Sequence, residues 1–385
     1  MAVLTPSEAA YAAERSYRII HERDVSLFGN KLTGKFALNN ESRFEGVAGA
    51  SIFKYRSGFG LAARGVSDTC NEFRDDAFIV TRGTDATNFR DILTDAHTSV
   101  QRSSSGNFVH TGFNTTYKSF EQDIRKFFQG YNPRRVHCVG HSLGGALASL
   151  IAEWLVENNV AEPVLYTFGS PRVGSSGFAS NLTRQVNAAN IYRVAHSTDP
   201  VPWVPTWPFY HVPNPGTECF IDCGMNFASK NHLMDHYIDS VEGKTWESLK
   251  IRQPSASLTD DVEKWLKSDG PISFTVNSFN MINKALIWVL KKVLHGVGIG
   301  LNVALAAGLT VMDQLAMLLD QAVRMGKEMA GLVERLILKM LNAVGYAISK
   351  VESITVNFLR WTLKVFTSFM YNLARRAADA VRLRL

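Results

Sequence analysis

The octapeptide Val139–Ala146, VGHSLGGA, sets the hydroxyl of Ser142 between Gly140 and Gly144. A hydroxyl does not need glycine neighbours, but a backbone that must turn sharply does. A G-x-S-x-G sequence between a strand and a helix forms an elbow that lifts its serine above a sheet. Both flanks are present: VHCV at Val136–Val139 reads as a strand, and the stretch from Gly144 to Asn158 reads as a helix. The Leu143 amide would then point at an oxyanion forming on a carbonyl attacked by Ser142. Serine alone is a weak nucleophile and needs a base and an orienting carboxylate. In this arrangement the chain order is Ser, then Asp or Glu, then His. Asp199 follows the run IYRVA, in HSTDPVPWVP, and NHLMDHYIDSV then supplies His232 and His236. His232 follows Asn231 at the mouth of a helix and is expected in the loop. His236, a turn further on beside Tyr237, stays open as the alternative base. His196 and His211 read as structural. Histidines four apart can also hold a metal on a helix, but the zinc-protease pattern needs Glu after the first His, where this chain has Leu233. No metal and no cofactor is expected.

Elements must bring these side chains together. Ala77–Thr81, Val136–Val139, Val164–Phe168 and Ile191–Ala195 are short apolar runs that read as strands, two of them apolar almost throughout. Between and before them, Thr5–His21, Ser119–Gln129, Gly144–Asn158 and Phe178–Val186 have helical spacing. Alternation of strand and helix predicts an α/β fold with a mostly parallel sheet flanked by helices. The carboxyl ends of its strands then carry the site.

The chain changes character near Pro271. All 12 prolines lie at or before that residue, and the pattern beyond is helical. Residues 1–250 are read as the α/β domain, 251–271 as a linker with an amphipathic stretch at Asp260–Lys267, and 272–385 as an all-α, basic, apolar-rich C-terminal domain. That last segment carries 14 Lys/Arg against 6 Asp/Glu, whereas the remainder is slightly acidic, with 27 against 29. Leu315, Leu318, Ala322, Met325, Met329, Leu332 and Leu336 recur at steps of three and four and predict one amphipathic helix with a narrow seam. Val293–Met312 is free of charge and just long enough to span a bilayer, though its glycines favour a buried hairpin equally. A basic, greasy tail suits a membrane surface or an acidic protein such as an inhibitor or chaperone. Aromatic-basic interleaving for nucleic acid is absent.

The four cysteines, Cys70, Cys138, Cys219 and Cys223, make no disulfide framework in 385 residues. The first twenty residues carry Glu8, Glu14 and Arg15 where a secretory leader needs an apolar core. A chain cytoplasmic at synthesis is expected, leaving by a signal-independent route or associating with a membrane.

The segments FIVTRGTDATNFRDILTDA, FVHTGF, VHCVGHSLGGALASL, YTFGSPRVG, YRVAHSTDPVPWVP and WPFYHV occur in this order over about residues 45–240. Together they resemble the fungal-type (class 3) lipase family of α/β hydrolases. The resemblance implies an α/β-hydrolase fold and a triad of Ser142, Asp199 and a C-terminal His. It implies an oxyanion hole shared by Thr84 and the Leu143 amide, and a lid formed or adjoined by Asp85–Asp95. Arg82 reads as a structural ion-pair partner, with Asp95 as its mate. The helical tail has no counterpart in the fungal lipase domain. In that respect the chain looks like a bacterial branch that includes antibacterial effector phospholipases. The expected function is lipid ester hydrolysis, as a phospholipase A or triacylglycerol lipase. The alternative is a membrane-inserting or pore-forming effector whose tail acts on bilayers.

Overall fold

The computed structural model describes residues 2–20, 30–38, 43–48, 55–83, 100–250, 260–270, 272–296 and 310–382. Eight strands form one sheet: β1 (Phe36–Ala37), β2 (Arg43–Ala48), β3 (Tyr55–Gly65), β4 (Asp76–Thr81), β7 (Arg135–His141), β8 (Glu162–Phe168), β9 (Ile191–His196) and β10 (Cys219–Ile221). The order is β1-β3-β4-β7-β8-β9-β10, with β2 also paired to β3. From β4 to β10 every neighbouring pair is parallel, and β1, β2 and β4 run antiparallel to β3. A separate hairpin joins β5 (Val100–Arg102) to β6 (Phe108–His110). This is the mostly parallel α/β sheet that the alternating pattern predicts.

The central strands β4, β7 and β9 are buried on both faces. Ala77 and Ile79 of β4 enter one core while Phe78 and Val80 enter the other, as the twofold strand period requires. On the first face lie α2 (Thr111–Lys118), α3 (Glu121–Phe128), α4 (Leu143–Glu157) and α5 (Ser176–Val186). On the second lie α1 (Pro6–Arg15) and α6 (Met234–Val241). The α1 start is fixed by a capping box in which Thr5 and Glu8 each bond the other's backbone amide. The segment leading into it is tied to the sheet by Leu4, whose N–H donates to the Tyr166 hydroxyl at 3.0 Å and whose carbonyl accepts from Trp246 Nε1 at 2.7 Å.

The C-terminal helices are α7 (Asp260–Lys267), α8 (Val276–Gly296), α9 (Val311–Arg324), α10 (Lys327–Ala343) and α11 (Val356–Arg382). Their apolar sides join the same hydrophobic cluster as α2 to α5, so the bundle continues the first helical layer. Helix α7, the amphipathic stretch within residues 251–271, packs on α8 and α10. One feature differs from the sequence reading. The single seam from Leu315 to Leu336 is broken at Gly326, whose φ of 129° ends α9 and caps α10. Periodicity alone cannot register such a break, because both helices keep the same apolar spacing. Of the Val293–Met312 segment, residues 297–309 lie outside the described residues. Among the described residues, no helix is long and apolar enough to cross a membrane.

Candidate active site

The elbow is built where β7 meets α4. Ser142 has φ 56° and ψ −131°, a conformation that costs a non-glycine residue on the order of 1–3 kcal/mol. The two flanking glycines permit it by close approach. A Cβ on Gly140 would lie 2.2 Å from the Gly144 carbonyl oxygen, and one on Gly144 would lie 2.2 Å from the Thr81 carbonyl oxygen. The Thr81 hydroxyl donates to the Gly144 carbonyl at 2.6 Å, and Ser142 N–H donates to Phe168 O at 3.0 Å. The turn is thus pinned to β4 on one side and β8 on the other. Leu143 opens α4, so its amide belongs to the first turn, where no intrahelical acceptor exists.

Asp199 follows β9 and its side chain is fully buried. Its Oδ1 accepts from the Val201 amide at 2.9 Å. Its Oδ2 accepts from His232 Nδ1 and from the Tyr237 hydroxyl, each at 2.7 Å. His232 lies in the 3₁₀ turn Ser229–His232 ahead of α6, and its Nε2 is 2.9 Å from Ser142 Oγ. With Nδ1–H committed to the carboxylate, Nε2 is the acceptor for the serine proton. Ser142, His232 and Asp199 therefore meet although 90 and 33 residues separate the bonded pairs. His236 sits on α6, half-buried, and the hydrogen bonds to Ser142 and Asp199 are made by His232.

A further layer holds these groups. His141 is fully buried, and burial, with the neighbouring His232 adding to it, holds its pKa well below the ordinary imidazole value. The neutral ring has one N–H. Nε2 faces the His232 carbonyl at 2.9 Å and must donate, so Nδ1 accepts from the Tyr17 hydroxyl at 2.6 Å. The Tyr17 oxygen in turn accepts from the Gly83 amide. One tyrosine thus ties the end of β4, the elbow and the base turn together. Gly169, at φ 54°, packs against the pair: a Cβ there would stand 2.8 Å from Asp199 Oδ2 and 3.0 Å from His232 Nδ1.

The two remaining histidines stabilise the loops. His196 stacks on Tyr237 at 4.0 Å, donates from Nδ1 to the Asn231 carbonyl at 2.7 Å, and accepts at Nε2 from Ser240. His211 bonds the Pro202 carbonyl and takes Arg193 and Arg172 on Nε2 at 3.1 and 3.4 Å. Arg193 pairs with Glu218. This clamp holds the Val201–Trp203 turn that follows Asp199. Arg82 is buried, lies over the Phe59 ring and donates to Gly83 O at 2.9 Å. Thr84, the Asp85–Asp95 stretch and Asp95 lie outside the described residues. Among the described residues, no group of three or more His, Cys, Asp and Glu could hold a metal ion.

Tyr17 and Gly169 were not singled out in the sequence. Nothing in SYRII at residues 16–20 marks Tyr17, since its partners lie 66 and 124 residues away. For Gly169 the sequence offered only its place after an apolar strand.

A parallel sheet with a serine elbow at its carboxyl edge, acid after a later strand and His after that, is the α/β-hydrolase architecture. Residues 78–209 match the family model described as lipase (class 3). The chain is 42% identical over 101 residues to secreted mono- and diacylglycerol lipase 1 of Fusarium solani, covering 25% of this chain and 29% of that protein. It is 36% identical over 104 residues to secreted mono- and diacylglycerol lipase A of Penicillium cyclopium, covering 26% and 33%. It is 35% identical over 103 residues to toxin TseL of Vibrio cholerae, covering 26% and 15%. The chain spans about a third or less of the length of these relatives. Among solved structures, the lipase of Rhizopus microsporus var. chinensis is 23% identical with a TM-score of 0.40, covering 56% of this chain and 73% of that one.

Proposed function

We propose that the chain is a serine carboxylic ester hydrolase acting on lipid through Ser142, His232 and Asp199. The observation that carries this reading is the buried hydrogen-bond chain from Ser142 Oγ through His232 to Asp199, at 2.9 and 2.7 Å. His232 Nε2 takes the serine proton as Oγ attacks the ester carbonyl carbon. The imidazolium formed is stabilised by the Asp199 carboxylate, itself fixed by Val201 and Tyr237. The Leu143 amide donates to the tetrahedral oxyanion, joined in this reading by Thr84. Collapse breaks the ester C–O bond, and His232 returns the proton to the leaving alcohol. Water, deprotonated by His232, then releases the fatty acid from the acyl-serine.

The similarity to mono- and diacylglycerol lipases supports an acylglycerol-type ester. Phospholipase A and triacylglycerol lipase are the two finer forms of the proposal. A membrane-inserting action of the tail has less support, because the apolar sides of α8 to α11 are already packed in the shared core. A panel of phospholipids and acylglycerols, with products identified by mass, tests the proposal. Fatty acid release by the wild type and its loss in Ser142→Ala, with an unchanged circular dichroism spectrum, is expected. Undiminished release by Ser142→Ala would remove the reading.

A further inference from the structure

Helix α11 has two unlike sides. Its inner side, with Leu359, Leu363, Phe366, Met370 and Ala374 buried, packs on α9, α10 and on the two turns beside Asp199 and His232. The link to those turns is aromatic. Phe366 stacks on Phe279 at 5.5 Å, Phe279 meets Trp203 at 5.8 Å, and Trp203 closes the turn after Asp199. Towards the end of the helix, Val381 enters the core that holds Leu233 and Tyr237, next to the base. The helix therefore runs along the active-site end of the sheet.

The outer side is basic. Helix α11 contains five Lys/Arg and a single acid, Asp379. Trp361, Lys364, Ser368, Asn372 and Arg375 recur at steps of three and four and form one stripe, with Arg376 on its flank. Lys364 and Arg376 are exposed and make no ion pair with the described residues, while Arg375 is paired with Asp379 at 3.6 Å. Apolar groups stand out of the same region. Trp361 is 39% exposed and leans on Tyr346, itself 41% exposed, at 5.6 Å. Further along, Phe369 is 38% exposed and touches Phe274, whose segment leads into the Val276 amide that donates to the carbonyl of Met225. Met225 is 66% exposed and lies seven residues before His232 in the sequence.

We propose that the outer side of α11, together with Met225, is a docking surface for a bilayer containing anionic phospholipid, and that it delivers the Ser142 mouth to phospholipid esters in that bilayer. The second half rests on the ester-hydrolase reading; the first does not. Charge complementarity selects an anionic surface, since basic residues are attracted to the negative potential of anionic lipid. The form of the apolar groups selects lipid over an acidic protein. Trp361 on α11, and Tyr346, which packs against it from the segment after α10, are side chains of the kind that settle at a membrane interface. Trp361 and Phe369 stand out along a helix roughly 40 Å long.

The test uses the full chain carrying Ser142→Ala, so that hydrolysis cannot alter the vesicles. Sedimentation is measured with vesicles of phosphatidylcholine alone and with vesicles in which about a third is phosphatidylglycerol. Binding to the second kind, at least tenfold weaker to the first, is expected. The pair K364E/R376E should lower that binding at least tenfold, and Trp361→Ser should weaken it with the spectrum of the fold unchanged. In the chain with Ser142 intact, K364E/R376E should keep wild-type kcat/KM on a soluble short-chain ester while losing activity on phosphatidylglycerol vesicles. Equal binding to both vesicles, or binding unmoved by K364E/R376E, overturns the proposal. So does binding of polyglutamate, but of neither vesicle, through Lys364 and Arg376, which would assign the surface to an acidic protein. A soluble ester left uncleaved by the intact chain would instead sink the ester-hydrolase reading, and the sedimentation result would still stand.

Discussion

Ser142, His232 and Asp199 are held in place by a surrounding layer of hydrogen-bonding groups. Tyr237 is one of the three donors that fix Asp199, and its hydroxyl is buried without access to water. A hydrogen bond to a charged group contributes about 1.5–3 kcal/mol. Tyr237→Phe should therefore lower kcat roughly ten- to a hundredfold with KM little changed. Tyr17→Phe removes the hydroxyl bonded to His141 Nδ1, so its cost should appear both as lower kcat and as stability lost on the order of 1–3 kcal/mol. Steady-state kinetics and urea unfolding check the two; an unchanged kcat in both variants would contradict the positioning role. The Ser142 and Asp199 positions were legible because G-x-S-x-G and a strand end have local sequence signatures. The base was narrowed to two histidines. Distance alone distinguishes them, since four residues on a sequence do not reveal where a turn stops and α6 begins.

At the level of elements, the elbow works because Gly140 lets the end of β7 approach the start of α4 and Gly144 lets α4 approach the end of β4, with no side chain between them. Gly144→Ala would press a methyl into the Thr81 carbonyl, backbone against backbone, with no flexible neighbour to give way. A loss of at least about 3 kcal/mol, or failure to accumulate as folded protein, is expected. Gly331→Ala is the contrasting case: it lies within α10, and a Cβ there meets nothing within 4 Å. It should gain roughly 0.5–1 kcal/mol from helix propensity. Thermal unfolding of the two variants reads both signs, and a neutral Gly144→Ala would refute the account of the elbow. The core strands were readable from their apolar runs, for β4, β7 and β9 are buried at every position. The long β3 was not, because YRSGFGLAARG alternates poorly and contains three glycines. The break at Gly326 escaped for a related reason: glycine near a helix end and glycine within a helix look alike until a φ is known.

Across the whole molecule, one hydrophobic cluster unites the helical layer of the α/β part with the tail. The compositional boundary at Pro271 is real in sequence, but sequence carries no sign of which apolar side faces which. Buried polar chemistry is also spread over the whole α/β part. His137, His141, His196 and His211 are all held below the ordinary imidazole pKa, chiefly by burial, with the two arginines adding for His211. Such groups stay neutral when folded and take up protons when unfolded. The unfolded state is thus favoured as pH falls below about 6.5, by at most about 1.4 kcal/mol per pH unit for each histidine. Tm should accordingly drop steeply between about pH 7 and about pH 5, and a flat profile would contradict that reading. The central claim, that Ser142 is the nucleophile driven by His232, has a direct measurement in covalent labelling by an alkyl fluorophosphonate followed by peptide mass mapping. The account predicts a single adduct on Ser142, formed by the wild type and by His236→Ala at comparable rates and lost in His232→Ala. Labelling at another residue, or undiminished labelling of Ser142 in His232→Ala, would contradict it.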